Sequence, residues 1–234
     1  MHGFRARQGR FVARVDEGER AVVASVVADV LELLGAPRPD EEPAAADRVA
    51  DVPTRDGGLP HLRSDTPAAP DDPAVRRLLP DASRDDPAVA AEFRRLTEDD
   101  LRAQKVDRLE KLWHALTAPG GGRRRDELVV RAQDAPAVAG ALTDLRLVLA
   151  ERLGVHTDAE ADAMYAVLGE PSPGVPAARG DHETRRYLVS VYGALTWLQE
   201  SLVVLMLADA RQARRTHDDH PPGPPGTGDV PGSG

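Results

Sequence analysis

The chain has 234 residues, a formal charge of −9, no cysteine and only 3% aromatic side chains. Without thiols, disulfide switching, thiolate catalysis and Cys-ligated zinc or iron–sulfur sites are excluded within the chain, and the acidic balance argues against broad attraction to DNA or anionic membrane. The core has to be built mainly from Leu, Val and Ala, and the length left after two Pro-rich stretches are set aside suits one domain.

The N-terminus lacks the apolar run of a signal peptide, and no segment offers a charge-free stretch of about 18 residues, so a cytoplasmic chain with no membrane span is expected. Phe4 to Ala6 and Phe11 to Val15 flank Gln8 and Gly9, and Phe11, Ala13 and Val15 alternate with Val12 and Arg14 as a half-buried strand would. This predicts a β-hairpin. A hairpin alone is marginal, and residues 127–131, with a Leu-Val-Val centre, are the best third strand. Asp16 with Glu19 then makes a capping box for a helix that places Val23, Val27, Val30 and Leu34 on one face up to Gly35.

Residues 37–71 are rich in proline and carboxylates and show no apolar periodicity, which predicts a disordered acidic insertion. The next block reuses one helix-start device. Asp72-Pro73 and Asp86-Pro87 each open the letters DPAV, and Asp134 with Pro136 is a variant of it. After Pro87, Val89, Phe93 and Leu96 share a face, with Phe93 expected in the core and Glu92, Arg94 and Arg95 outside. Thr97 with Asp100 is expected to cap a separate helix carrying Leu101, Leu109, Leu112, Trp113 and Leu116 and ended by Gly120 to Gly122. From Asp134, a helix with Val138, Leu142, Leu145 and Leu149 on one face runs to Gly154, and Thr157 with Glu160 caps a shorter one reaching Leu168. A loop over 170–180 precedes a last helix over 181–211, whose Leu188, Val191, Leu195, Leu198, Leu202 and Leu205 form a bundle or coiled-coil seam. Residues 212–234 read as a flexible Pro/Gly tail.

The expected fold is therefore mainly α: a bundle of five to six helices with a small antiparallel β element, an N-terminal hairpin plus one later strand. Residues 1–36 supply the hairpin and first helix of the core, and residues 72–211 its helical remainder.

Candidate sites are few. His217, Asp218, Asp219 and His220 carry metal-binding groups but sit in the tail without a rigid surround, so a solvated tail is the better reading and no metal or cofactor is expected. His114 and His156 lie near helix ends, where interaction with the helix dipole explains them. Arg123 to Arg125 follow three glycines with no phosphate-binding pattern around them. Glu92, Arg94, Arg95 and Lys105 form a mixed-charge helix surface, read either as local ion pairs or as a docking face for a partner. Asp144, Arg146, Gln199 and Glu200 are candidates for a buried polar cluster; Asp144 and Arg146, two apart, point to different sides of their helix and cannot pair. If Glu200 is buried it must be hydrogen-bonded or paired.

Four runs, DPAVRRLLPD at 72–81, EFRRLTEDDLR at 92–102, LTDLRL at 142–147 and WLQESL at 197–202, resemble an actinobacterial domain-of-unknown-function family, number twenty-seventeen, also called AosR-like. The resemblance spans the chain apart from the linker and tail. It implies an actinobacterial cytoplasmic protein, often encoded near a Clp protease adaptor and cysteine-biosynthesis genes, with some members proposed as redox-responsive transcription regulators acting with a sigma factor. This chain departs from the redox part: it has no cysteine, so oxidant sensing would have to be absent, indirect or carried by a partner.

The reading that follows is a non-enzymatic regulator contacting a protein partner, a sigma factor being the one implied, through the surface bearing Glu92, Arg94 and Arg95. A homodimer through the helix 181–211 is a further expectation, and direct DNA contact is left open. The alternatives are a factor linked to Clp-dependent proteolysis, or an enzyme or small-ligand-binding domain whose polar groups meet only between the folded helices.

Overall fold

The computed structural model describes residues 1–41, 69–83, 85–118, 126–166 and 179–218. Most of the acidic insertion, residues 119–125 with Arg123 to Arg125, residues 167–178 and residues 219–234 lie outside these.

Strands β1 (His2–Arg7) and β2 (Arg10–Arg14) form the expected hairpin, and β3 (Glu127–Arg131) pairs with β2 to give an antiparallel sheet of order β1-β2-β3. Gln8 and Gly9 both have positive φ, 51° and 72°, the backbone twist that lets a two-residue turn join right-twisted strands. Registers such as Phe11 opposite Val130 and Ala13 opposite Leu128 put one face into the core. The other face carries Arg10, Val12, Arg14, Val129 and Arg131, all outside the buried set.

Helix α1 (Glu17–Leu33) starts at the capping box that its sequence announces: Asp16 accepts from the Glu19 amide and the Glu19 carboxylate from the Asp16 amide. Helix α2 (Pro73–Leu78) is capped by Asp72 and α3 (Pro87–Thr117) by Asp86. α3 is one helix of 31 residues, where two were expected. Thr97 caps nothing, because its hydroxyl donates to the Phe93 carbonyl one turn back and lets the helix continue. Helix α4 (Ala135–Leu153) begins where predicted, but Asp134 makes no cap; its carboxylate accepts from Arg131 Nε at 2.6 Å instead. The Thr157–Glu160 box opens α5 (Asp158–Ala166), and the His156 and Thr157 amides hold the Glu160 carboxyl below the usual carboxylate range.

Helix α6 (Arg179–Asp218) passes the boundary expected at 211 and has 40 residues. Its seam is buried at Val191, Leu195, Leu198 and Leu202, while Trp197, Val203, Val204 and Leu207 on its outer side are exposed. Among the described residues, its segment Glu183–Gln212 is the one helix long and apolar enough to cross a membrane by length and composition. Between Leu188 and Leu207 its only charge is Glu200.

At the centre of the molecule, α4 packs against α2, α3 and α6, and buries Val138, Leu142, Leu145, Val148 and Leu149 among them. The sheet closes one end, with α6 along β1: the Phe4 amide donates to Ser201 Oγ at 2.8 Å, and a side chain at Gly3 would collide with Ser201. Several helix C-termini are finished by distant arginines. Arg20 donates to the Leu116 and Ala118 carbonyls at the end of α3, Arg102 to the Leu34 carbonyl after α1, and Arg185 to the Leu153 carbonyl of α4.

The segment assigned wholly to the insertion is anchored at its start. Arg38 meets Asp29 at 2.7 Å, Glu32 at 3.0 Å and Asp40 at 3.1 Å, so residues 37–41 are tied back to α1. These bonds raise the Arg38 guanidinium above its ordinary value and lower the Asp40 carboxyl.

Asp72 joins the N-cap of α2 to Arg152 of α4 at 2.6 Å, and this pairing, ahead of its bonds to backbone amides, holds its carboxyl below the ordinary range. A lowered folded-state pKa adds stability that is present above the unfolded value, about 4, and is lost as pH falls through the folded value. Asn keeps the cap and removes the charge. Asp72→Asn is therefore expected to cost about 0.5–1 kcal/mol at pH 7, with the gap to wild type closing as pH falls below about 4. Urea denaturation at pH 7 and pH 3 measures both; an equal gap at the two values would show that the ion pair contributes nothing.

Candidate functional site

The four charged residues expected to share the α3 surface separate into different environments. Glu92 and Arg95 pair with each other at 2.6 Å, which lowers the glutamate carboxyl and raises the guanidinium. Arg94 turns to Asp81 in the α2–α3 connection and fixes the start of α3 against it. Lys105 does not belong to that surface: it is 7% exposed and donates to Asp144 at 2.8 Å. What the N-terminal half of α3 does present is apolar. Val89, Phe93 and Leu96 are 52%, 43% and 53% exposed, so the stripe expected in the core faces outward, and Phe93 is no core residue. The buried residue in this half of the helix is Ala90, next to Val89 and three before Phe93.

The proposed polar cluster also divides. Asp144 is 1% exposed and accepts from Lys105 Nζ and Arg108 Nε, both from α3. Arg108 reaches it across Gly140, where a Cβ would lie 2.9 Å from the guanidinium, so glycine leaves the space for this bond. Arg146, two residues on, points to a different side, as expected, and there it meets α6. Its Nη1 donates to Gln199 Oε1, its Nη2 to the Tyr192 hydroxyl at 3.3 Å, and its guanidinium lies 5.2 Å from the Tyr192 ring centre. Gln199 in turn donates to Thr143 Oγ1 and to the Ala139 carbonyl. Glu200 takes no part in any of this. It is exposed on the other side of α6, beside Trp197 and the start of β1, so the buried-carboxylate question does not arise for it.

Beside Arg146 a cavity of about 210 Å³ opens between α2, α4, α6 and the start of α5, lined by Arg77, Arg146, His156, Thr157 and Tyr192 among others. Of these, Arg77 and Tyr192 carried no signal in the sequence. Arg77 stands in a surface-like RR pair, and Tyr192 falls within the apolar seam of α6; only the packing of α2 and α6 on α4 brings them together. His156 lies 3.7 Å from Glu151, which also pairs with Arg77 at 3.4 Å. His114 is exposed and meets Trp113 edge-on. Among the described residues no group of three or more His, Asp or Glu side chains could hold a metal, and the 217–220 side chains lie outside them.

The buried triad sets a clear expectation. Removing Asp144 leaves Lys105 and Arg108 facing the core without a counter-charge, which costs about 3–5 kcal/mol. Asp144→Ala should lose that much in chemical denaturation, and Lys105→Met, which still leaves Asp144 paired with Arg108, less. A loss under about 1 kcal/mol for Asp144→Ala would place the triad in solvent.

No curated protein and no solved structure matches the chain. The model of a family described as Domain of unknown function (DUF2017) matches residues 1–206, from the first strand to within the last helix. The chain belongs to that family.

Proposed function

We propose that this is a non-enzymatic regulatory protein that acts by contact with another protein through the N-terminal half of α3. The observation that carries the proposal is the outward stripe of Val89, Phe93 and Leu96, flanked by the Glu92–Arg95 pair. An aromatic anchor among aliphatic neighbours and rim charges is the composition in which interface energy concentrates. The AosR-like resemblance names a sigma factor as the partner and a cytoplasmic actinobacterial setting; with no cysteine in the chain, regulation of that contact is not by its own thiols.

Phe93 is the residue to change. Because it is exposed, Phe93→Asp should leave stability within about 0.5 kcal/mol of wild type, while lowering affinity for the partner at least tenfold. Binding of the wild type and of Phe93→Asp and Leu96→Asp to individually purified sigma factors measures this. Failure of the wild type to bind any of them, or equal binding by all three forms, would remove the reading. Arg95→Glu is a better charge reversal than Arg94→Glu, since Arg94 holds Asp81 and its loss would disturb the fold.

The outer side of α6 is the second surface in this proposal, and its occupant is a second copy of the chain. Trp197, Val204 and Leu207 recur on the side opposite the buried seam, which supports helix-to-helix pairing. Light scattering should give a dimer for the wild type and a monomer for Val204→Glu; a monomeric wild type at concentrations of tens of micromolar would refute it.

A further inference from the structure

Among the described residues, Arg146 is a cation without a counter-ion. Its bonds go to an amide oxygen and a phenol, its Nε is shielded from solvent without any hydrogen-bond partner, and among the described residues it forms no ion pair. A partly buried guanidinium is stable when its charge is matched, and Gln199 and Tyr192 orient it without neutralising it. Arg77 and His156 line the adjoining cavity; both meet the Glu151 carboxylate, and the Glu160 carboxylate accepts from the His156 and Thr157 amides.

The donors at this site differ in what they have left to give. Thr143 Oγ1 already accepts from Gln199 and donates to the Ala139 carbonyl, and Thr157 Oγ1 accepts from the Glu160 amide. Arg77 spends Nη1 on the Val155 carbonyl and Nε on Glu151, and among the described residues no bond engages its Nη2. With Arg146, this puts two guanidinium groups on one cavity, one of them without a counter-ion among the described residues, and guanidinium N–H groups are the donors that hold an oxyanion by charge-assisted hydrogen bonds. Size narrows the class. The cavity's 210 Å³ is about seven water volumes and lies below the roughly 300 Å³ at which pockets for drug-sized ligands begin.

We propose that this cavity binds one small oxyanion, a phosphate or carboxylate group, between Arg77 of α2 and Arg146 of α4. The bound anion would join α2, α4 and, through Tyr192 and Gln199, α6. It would thereby couple occupancy to the helix whose outer side is exposed. The inference is independent of the α3 contact surface, and either can fail alone.

Calorimetric titration of the full chain with inorganic phosphate and, separately, with acetate, each at constant ionic strength against chloride, tests it. Saturable 1:1 binding of at least one anion is expected, and the better of the two tells whether the site prefers phosphate or carboxylate. Arg77→Gln should weaken it at least tenfold, and Arg146→Gln likewise. Should Arg146→Gln fail to fold, having lost Gln199 and Tyr192, the Arg77→Gln protein, checked by circular dichroism, decides the matter. Arg10→Gln with Arg14→Gln, on the outer face of the sheet, should leave binding unchanged. No saturable binding of either anion at millimolar concentration, binding that survives Arg77→Gln, or binding lost with the sheet arginines would overturn the proposal.

Discussion

One buried carboxylate holds α3 and α4 in register. Asp144 faces α3 and takes both Lys105 and Arg108, so α3 cannot slide or rotate on α4 without stranding a charge in a nearly dry interface. Hydrophobic packing alone is more permissive, since Leu and Val faces can repack at modest cost. Two residues later, about 200° around the helix, Arg146 does the corresponding work toward α6 with neutral partners. α4 therefore carries a fully paired charge on one flank and, among the described residues, an unmatched one on the other. The flank with the unmatched charge is also the one with the cavity.

How much of this was legible in the sequence divides along the range of the interactions. Helix N-termini could be read because their partners lie within three residues: Asp16 with Glu19, Asp72, Asp86, and Thr157 with Glu160 all cap as their spacing suggests. Two C-termini could also be read, from Gly35 and Gly154, both at positive φ, but the side chains that finish such ends could not, because Arg20, Arg102 and Arg185 reach carbonyls far away along the chain. An arginine in sequence carries no mark of which helix end it will meet. Lys105 was misplaced for the same reason: on its own helix it resembles any surface lysine, and only the arrival of Asp144 makes its burial tolerable.

Periodicity has a similar limit. It shows which residues share a face, and Val89, Phe93 and Leu96 do share one, but it does not show whether another element arrives to cover that face. Here none of the described elements does. Thr97 marks a second limit. A Thr followed three residues later by an acid is a helix start only when the chain before it is not already helical; once α3 has begun at Pro87, the hydroxyl bonds backward and the pattern is silent. Glu200 illustrates the converse, a carboxylate that looked anomalous within an apolar helix and is ordinary once the outer side of α6 is known to be exposed.

The seating of Ser201 on Phe4 joins the first strand to the last helix. Most of the described elements lie between β1 and its cover in α6, and β3 follows only after α3. The hairpin without them has open backbone on both flanks, a state prone to pairing with neighbouring chains. Its four arginines, Arg5, Arg7, Arg10 and Arg14, give it a dense like charge that keeps two such ribbons apart until β3 and α6 close its edges.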